Sequence, residues 1–404
     1  MSSRVSNNVK TVVINSNPPP LPPSQDTQVL TNVNGVNTFS YPGYNFDGSD
    51  MFAGQSVDTS AIVLNNPATY KYLGGVLAPN GRIYCMPGTE NNVGIINPYN
   101  NTIDTTSISG INPAPVANLK YLGGVLAPNG KIYCIPLFAT NVGIIDPVTN
   151  TIDTTTISMS TYPDLSGTFK FWGGVLGTNG KIYCVPRRVN YVGIIDPVTN
   201  TFDSTSITFT LAQSGGGGDS YATGSLGSNG NIYFCPYGAT KVMRLRTTDN
   251  SLNFIDVSNT SSVNWDGSVC GPDGNVYLLP RSDSRIMRVD VSNETVSLAF
   301  NTGVGGSGFS SGGVLGLDGI IYCMPNSNAN VNSANKLLFY DVLNNTAGTI
   351  TANLPSGGEK FYGGVLAPNG KIYMIPATYA NVATIKTGIP KLPPWMMAPE
   401  FNKL

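Results

Sequence analysis

Seven side chains of this 404-residue chain have the types and placement to grip a ligand: Arg187, Arg188, Tyr191, Tyr237, Arg281, Asp283 and Tyr379. A guanidinium group offers a planar fork of donors and stacks on aromatic faces, while a phenol offers a ring face and a hydroxyl. Such groups hold a sugar or a protein without making or breaking bonds. Bond-breaking chemistry lacks its usual parts here. There is no histidine, which removes the common general base near neutral pH, His-containing triads and imidazole metal ligands. The four glutamates, Glu90, Glu294, Glu359 and Glu400, fall at no periodic position. Asp104, Asp153 and Asp203 recur, but each follows a turn and reads as a turn and strand-edge residue. No Asp-x-Asp-x-Asp spacing marks a calcium loop. Ser214-Gly-Gly-Gly-Gly218 lacks the lysine and following helix of a phosphate-binding loop. The expectation is a non-enzymatic protein with no catalytic, cofactor-binding or metal residues and no cofactor.

The candidate side chains fall in the most variable segments of a repeated unit, best seen as Tyr121 to Ile157, YLGGVLAPNGKIYCIPLFATNVGIIDPVTNTIDTTTI. Its regular part is a Gly, four to five residues, Asn-Gly or Asp-Gly, two residues, a Tyr, and a Pro three further on. The Tyr recurs as Tyr84, Tyr133, Tyr183, Tyr233, Tyr277, Tyr322 and Tyr373, in seven copies 44 to 51 residues apart. Gly-Gly-Val-Leu-Ala is a short apolar run, and Asn129-Gly130 is the dipeptide that accepts the two positive φ angles of a tight hairpin. Lys131 to Ile135 returns as a second strand, ended by Pro136. Val142 to Asp146 makes a third, and the Thr-rich Thr151 to Ile157 a half-exposed fourth.

A four-stranded meander cannot bury both faces alone, so its copies must stack. Seven such units predict an all-β chain: a seven-bladed β-propeller of four-stranded antiparallel blades. The pairs Gly74-Gly75, Gly123-Gly124, Gly173-Gly174, Gly312-Gly313 and Gly363-Gly364 fit the innermost strands, where backbones crowd the axis. The last blade lacks a fourth strand, and Val57 to Ile62 resembles Ile103 to Ile108 and Ile152 to Ile157. An N-terminal strand closing that blade removes the open edges. The resulting division is 1–55, a Pro-rich extended arm; 56–388, the propeller, with 56–63 its closing strand; and 389–404, an apolar C-terminal tail. Pro18, Pro19, Pro20 and Leu21 of the arm, with Trp395, Met396 and Phe401 of the tail, are the expected anchoring residues. Val29 to Phe39 carries β-forming residues that a bare linker does not need. Loops between strands two and three, and between blades, gather on one face, where binding residues on a rigid scaffold belong.

Charged residues are only 11% of the chain and net charge is −1, which gives no field to attract nucleic acid or an anionic membrane. No apolar run approaches the roughly 20 residues of a membrane span. The opening MSSRVSNNVKTVVINSN lacks a signal-peptide core, so synthesis in a cytoplasm is expected. Cys85, Cys134, Cys184 and Cys323 share one position, too widely spaced between blades for a disulfide; they read as buried packing residues, and Cys235 and Cys270 as free thiols. Eight of the 22 basic residues lie between positions 187 and 288. Two readings stand: strand faces paired with nearby carboxylates, or a cationic patch for an acidic glycan or a neighbouring subunit.

The GGVLAPNGKIYCIP…NVGIIDPVTNTIDTT unit resembles a repeat of propellers from large viruses, bacteriophages and some protists, and more distantly kelch-like and lyase-type propellers. The ending PWMMAPEFNKL resembles C-terminal ends of phage-encoded members. Streptogramin-lyase-like propellers depend on catalytic histidines, which this chain lacks. The resemblance implies a virion structural protein, made in the host cytoplasm and located in the virion: a capsid decoration, head-fibre or tail-associated component for particle stabilisation or host-surface attachment. Its partners are then other virion proteins, through the terminal arms, and a cell-surface glycan, with no nucleic acid and no membrane insertion. The alternatives are a lectin-like carbohydrate-binding propeller and a polysaccharide lyase or hydrolase.

Overall fold

The computed structural model describes residues 29–33, 36–40, 55–64, 66–111, 119–159, 169–215, 218–257, 265–281, 284–303, 310–325, 336–352, 354 and 359–388. The chain divides into two units, Met1–Phe46 and Asp47–Leu404. In the first, Val29–Val33 and Val36–Ser40 form an antiparallel pair with Leu30 opposite Phe39, within the segment singled out for its β-forming residues. Pro18, Pro19, Pro20, Leu21, Trp395, Met396, Phe401 and Asp283 lie outside the described residues.

The second unit holds seven four-stranded antiparallel sheets. Six follow chain order, as in blade 2: Tyr121–Leu126, Ile132–Pro136, Asn141–Asp146 and Thr151–Ser158. Val125 pairs with Tyr133, and Ile145 with both Ile132 and Ile152. The inner strands are apolar on both sides because a neighbouring blade covers each face. Val125, Ile135 and Ile144 of blade 2 thus pack with Phe171, Ile182 and Ile195 of blade 3. Only the outer strand alternates, one side facing water. All six cysteines are free and buried in these layers, and burial pushes the Cys235, Cys270 and Cys323 thiols up to about 12.

The seventh sheet closes the ring as expected. Phe361–Leu366, Lys371–Pro376 and Asn381–Lys386 are completed by Ser56–Val63, with Val57 opposite Ile385 and Ile62 opposite Val382. Beside the axis, a Cβ added at Gly123 would stand 3.1 Å from the Cα of Gly173, and Gly123 has φ +72.

The Asn-Gly turn corrects one expectation. Gly130 alone has positive φ, and its amide donates to Ala127 O at 2.9 Å. This is a type I turn with Pro128 at the second position and Gly at the fourth, not a turn with two left-handed residues. Asn129 is released for another task. Its Nδ2 donates to the Tyr133 hydroxyl (3.0 Å) and to Pro197 O of the next blade (3.1 Å), and the Tyr133 hydroxyl donates to Asn200 Oδ1 at 2.7 Å. Asn80 and Tyr84 hold Pro147 and Asn150 the same way, and Asn369 and Tyr373 of the last blade hold Pro98 and Asn101 of the first. The periodic Tyr is therefore a latch from each of these blades to the turn before strand four of the next. Tyr133→Phe leaves Asn200 and Asn129 short of a partner and is expected to cost roughly 1–2 kcal/mol, read by urea unfolding. Unchanged stability would mean that water serves that turn as well.

The recurring aspartates do what their position suggested. Asp153 Oδ1 accepts the amides of Thr155 and Thr156 at 2.7 and 3.1 Å. Although partial burial acts to raise it, those donors and their hydroxyls pull the Asp153 carboxyl down to about 2. Asp104 and Asp203 accept equivalent bonds, local turns that interrupt the exposed edge and blunt it against pairing with other chains.

Candidate functional site: the axial mouth

The residue before the axial Gly, whose place Thr223 takes in blade 4, is Leu73, Leu122, Trp172, Ala222, Asp266, Ser311 or Tyr362 in successive blades. Most of these side chains look onto the axis, where Leu73, Leu122, Trp172, Thr223, Asp266, Ser311 and Tyr362 line a cavity of about 20 Å³. The residue after the strand-two Pro stands above them on the loop face. In blades 3, 4 and 5 it is Arg187, Tyr237 and Arg281. Three of the seven sequence-derived candidates therefore converge.

Arg187 lies between two rings, its guanidinium carbon 4.3 Å from the Trp172 centroid and 3.5 Å from that of Tyr237. Arg281 sits 4.9 Å from the same Tyr237 ring, and its Nη1 donates to the Tyr237 hydroxyl. Arg281 also pairs with Asp266 at 3.3 Å and Glu359 at 3.7 Å. The Tyr362 hydroxyl donates to Glu359 at 2.9 Å, and its ring meets Trp172 edge-on at 6.2 Å. Arg188 joins through Asp219, which also pairs with Arg187 at 3.5 Å. Around this cluster Leu73, Leu122 and Leu137 are buried, while Tyr70, Phe138, Phe169 and Tyr237 are half-buried. Rings and paired charges are thus interleaved at the mouth, with Arg187 on Trp172 and Tyr237 and Arg188 4.8 Å from the Phe169 centroid.

The walls are stapled by lysines. Lys71, Lys120, Lys170 and Lys360 precede the first strands of four blades and are buried. Lys120 Nζ donates to Thr89 O and Glu90 O at 3.0 and 3.1 Å, and Lys170 Nζ to Phe138 O at 2.9 Å. Lys120 and Lys170 thus fix the loop of the preceding blade at the rim, while Lys71 Nζ donates to Ala68 O at 2.8 Å. Burial pushes the Lys71 and Lys170 ammonium groups down to about 8.

Tyr191 and Tyr379 are not at the mouth. Tyr191 packs edge-on against Phe171 at 5.8 Å, where Tyr121 of blade 2 hydrogen-bonds Asn141 instead. Tyr379 stacks on Phe361 at 5.2 Å and donates to Thr59 O of the closing strand at 3.2 Å. The basic cluster between 187 and 288 is paired rather than a cationic patch. Lys241 meets Asp256, Arg244 meets Glu294, Arg246 meets Asp249, and Arg288 meets Asp273 and Asp290. Sequence reasoning missed Trp172, Asp266, Glu359 and Tyr362. Among the described residues, no group of three His, Cys, Asp or Glu side chains could hold a metal ion.

Asp266 is the outlier in charge. Burial raises its carboxyl to about 6, with the Arg281 and Arg187 guanidinium groups opposing. The unfolded value is about 3.9, so the folded chain takes up this proton first. The stability Asp266 contributes is present in acid and is lost as pH rises from about 4 to about 6. Asp266→Asn removes that titration. From pH 4 to pH 7 the variant is expected to gain roughly 2–3 kcal/mol relative to the parent, read as a converging or crossing pair of stability curves; parallel curves would contradict it.

No protein-family model matches the chain, and no curated protein matches it. Solved structures do. The chain is similar to a catalytically inactive histidine-to-alanine variant of virginiamycin B lyase from Staphylococcus aureus, with quinupristin: 15% identity, 82% of this chain and 99% of that chain, TM-score 0.65. A streptogramin B lyase structure matches at 13% identity over 83% and 98% of the two chains, TM-score 0.61. Kuenenia stuttgartiensis hydrazine synthase matches at 13% identity over 80% and 97%, TM-score 0.55. At such identities the likeness is one of fold, and it agrees with the sheet order above: the chain is a seven-bladed β-propeller.

Proposed function

We propose that the chain is a non-enzymatic display protein of a virus particle, whose ring presents its axial mouth to a surface-borne ligand. The observation that carries the binding part is the convergence of Arg187, Tyr237 and Arg281 with Trp172, Asp266, Glu359 and Tyr362 on one rigid face. The lyase to which the fold is similar is inactive without one histidine, and this chain has none. The particle setting rests on the repeat and C-terminal sequences alone. In it the terminal arms anchor and the ring faces out.

A second reading, a polysaccharide lyase or hydrolase, is favoured by one group. Asp266, raised to about 6, has the affinity of a proton carrier. Against it, Asp266 is held in an ion pair by Arg281, and the chain has no histidine to act with it. Incubation with polysaccharides in large molar excess separates the two readings. Binding without new reducing ends or unsaturated products supports display; turnover abolished by Asp266→Asn establishes the enzyme. For the particle setting, the full chain should co-sediment with particles, and chains lacking 1–54 or 389–404 should not. Equal co-sedimentation of both truncations would remove the anchoring role.

A further inference from the structure

Two buried polar atoms at the mouth find no hydrogen-bond partner in the protein: Arg187 Nη1 and Asp266 Oδ2, in side chains 4% and 1% exposed. Oδ2 has the Arg281 guanidinium 3.3 Å away as an ion pair only. Buried donors and acceptors are normally satisfied, so these two point to a molecule that completes them. One donor and one acceptor call for a group able to both accept and donate, which a hydroxyl does and a carboxylate, sulfate or ammonium does not.

The rest of the mouth narrows the class. Arg187, Arg188 and Arg281 are matched by Asp219, Asp266 and Glu359, and the Lys120 and Lys170 ammonium groups are turned to backbone carbonyls, so no guanidinium at the mouth is left unpaired to hold an ionic ligand. Tyr70, Phe138, Phe169 and Tyr237 are half-buried among these charges, and the ring area they leave open is a surface for the CH face of a flat, polar molecule. The axial cavity of about 20 Å³, walled by Trp172, Asp266 and Tyr362, has room for one hydroxyl-sized group.

We propose that the mouth binds a neutral saccharide unit, its CH face on the half-buried aromatic rings and its hydroxyls completing Arg187 Nη1 and Asp266 Oδ2. This rests on the binding role above. It replaces the acidic glycan suggested by the basic residues in sequence.

The test is a glycan array probed with the full chain at low and high salt, bearing neutral hexose- and N-acetylhexosamine-terminated glycans beside sialylated, uronic-acid and sulfated ones. Expected is binding to neutral glycans that changes less than twofold with salt. Phe169→Ala, at the rim, and Arg187→Lys, which keeps the charge but loses the fork, should each weaken it at least tenfold with unchanged circular dichroism. Binding confined to acidic glycans and falling steeply with salt overturns the neutral class while leaving the mouth as binding face. Neutral binding that survives both variants overturns the site. A blank array overturns the saccharide; if the same variants still abolish attachment to host cells, the binding role stands with a ligand of another class.

Discussion

A chain lacking residues 1–63 is expected to lose its closed ring, whereas one lacking 1–54 keeps it. Ser56–Val63 supplies the outer strand of the last blade, through pairs from Ser56 opposite Lys386 to Val63 opposite Asn381. Ile62 is buried against Ile83, Val365 and Val382 in the layer that joins last blade to first. Losing the burial of Ile62 and Val57 alone costs about 3–5 kcal/mol, and the strand's backbone bonds go with it. Asn381–Lys386 becomes an unpaired edge, a template for joining other chains. The longer truncation should unfold at least 10 °C lower and associate on gel filtration. If both truncations melt together, closure through the N-terminus contributes little.

Gly123→Val should be nearly as damaging, for a reason set at the axis. The residue combines φ +72 with a Cβ position 3.1 Å from the Cα of Gly173. A β-branched side chain is strained at that φ, and backbone of the neighbouring blade cannot swing aside as a side chain can. Gly110 supplies the control, with φ +75 and nothing within 4 Å of its added Cβ. Gly110→Val should therefore show the strain alone, roughly 1–3 kcal/mol. Gly123→Val should lose about 2 kcal/mol more, as expected of overpacking, in paired urea unfolding curves. Equal losses would show that the axis has slack.

Much of the architecture was legible because seven-fold repetition leaves few alternatives. The Tyr, the Gly pairs and the Asp-Thr-Thr edge gave the blade order, and Val57 to Ile62 could be matched by eye to the strand it replaces. The turn was less legible. Asn-Gly suggests two left-handed residues, yet Pro128 selects a type I turn and frees Asn129 to hold the next blade. The mouth was half legible. Arg187, Tyr237 and Arg281 stood out because they follow a recurring Pro, while Tyr191 and Tyr379 were equally conspicuous but pack inward on Phe171 and Phe361. Trp172, Asp266 and Tyr362 were hidden inside apolar strands that read as core. Their signal was the position before the axial Gly, where Leu73 and Leu122 give way to Trp, Asp and Tyr. Glu359 carries no such mark, since only the ring brings it to Arg281.

The two faces of the disc offer the most direct measurement of where the protein binds. The face opposite the mouth has its own exposed apolar residues, Val148 at 92% and Val198 at 91%, at the tips of the turns before strand four. Binding to immobilised neutral glycans should be compared for the parent, Tyr237→Ala with Arg281→Ala, and Val148→Ser with Val198→Ser. Loss of at least tenfold in the first pair, with parental binding in the second, is the result expected of a mouth-facing display protein. Parental binding in the first pair, with loss in the second, would place the binding surface on the opposite face and contradict it.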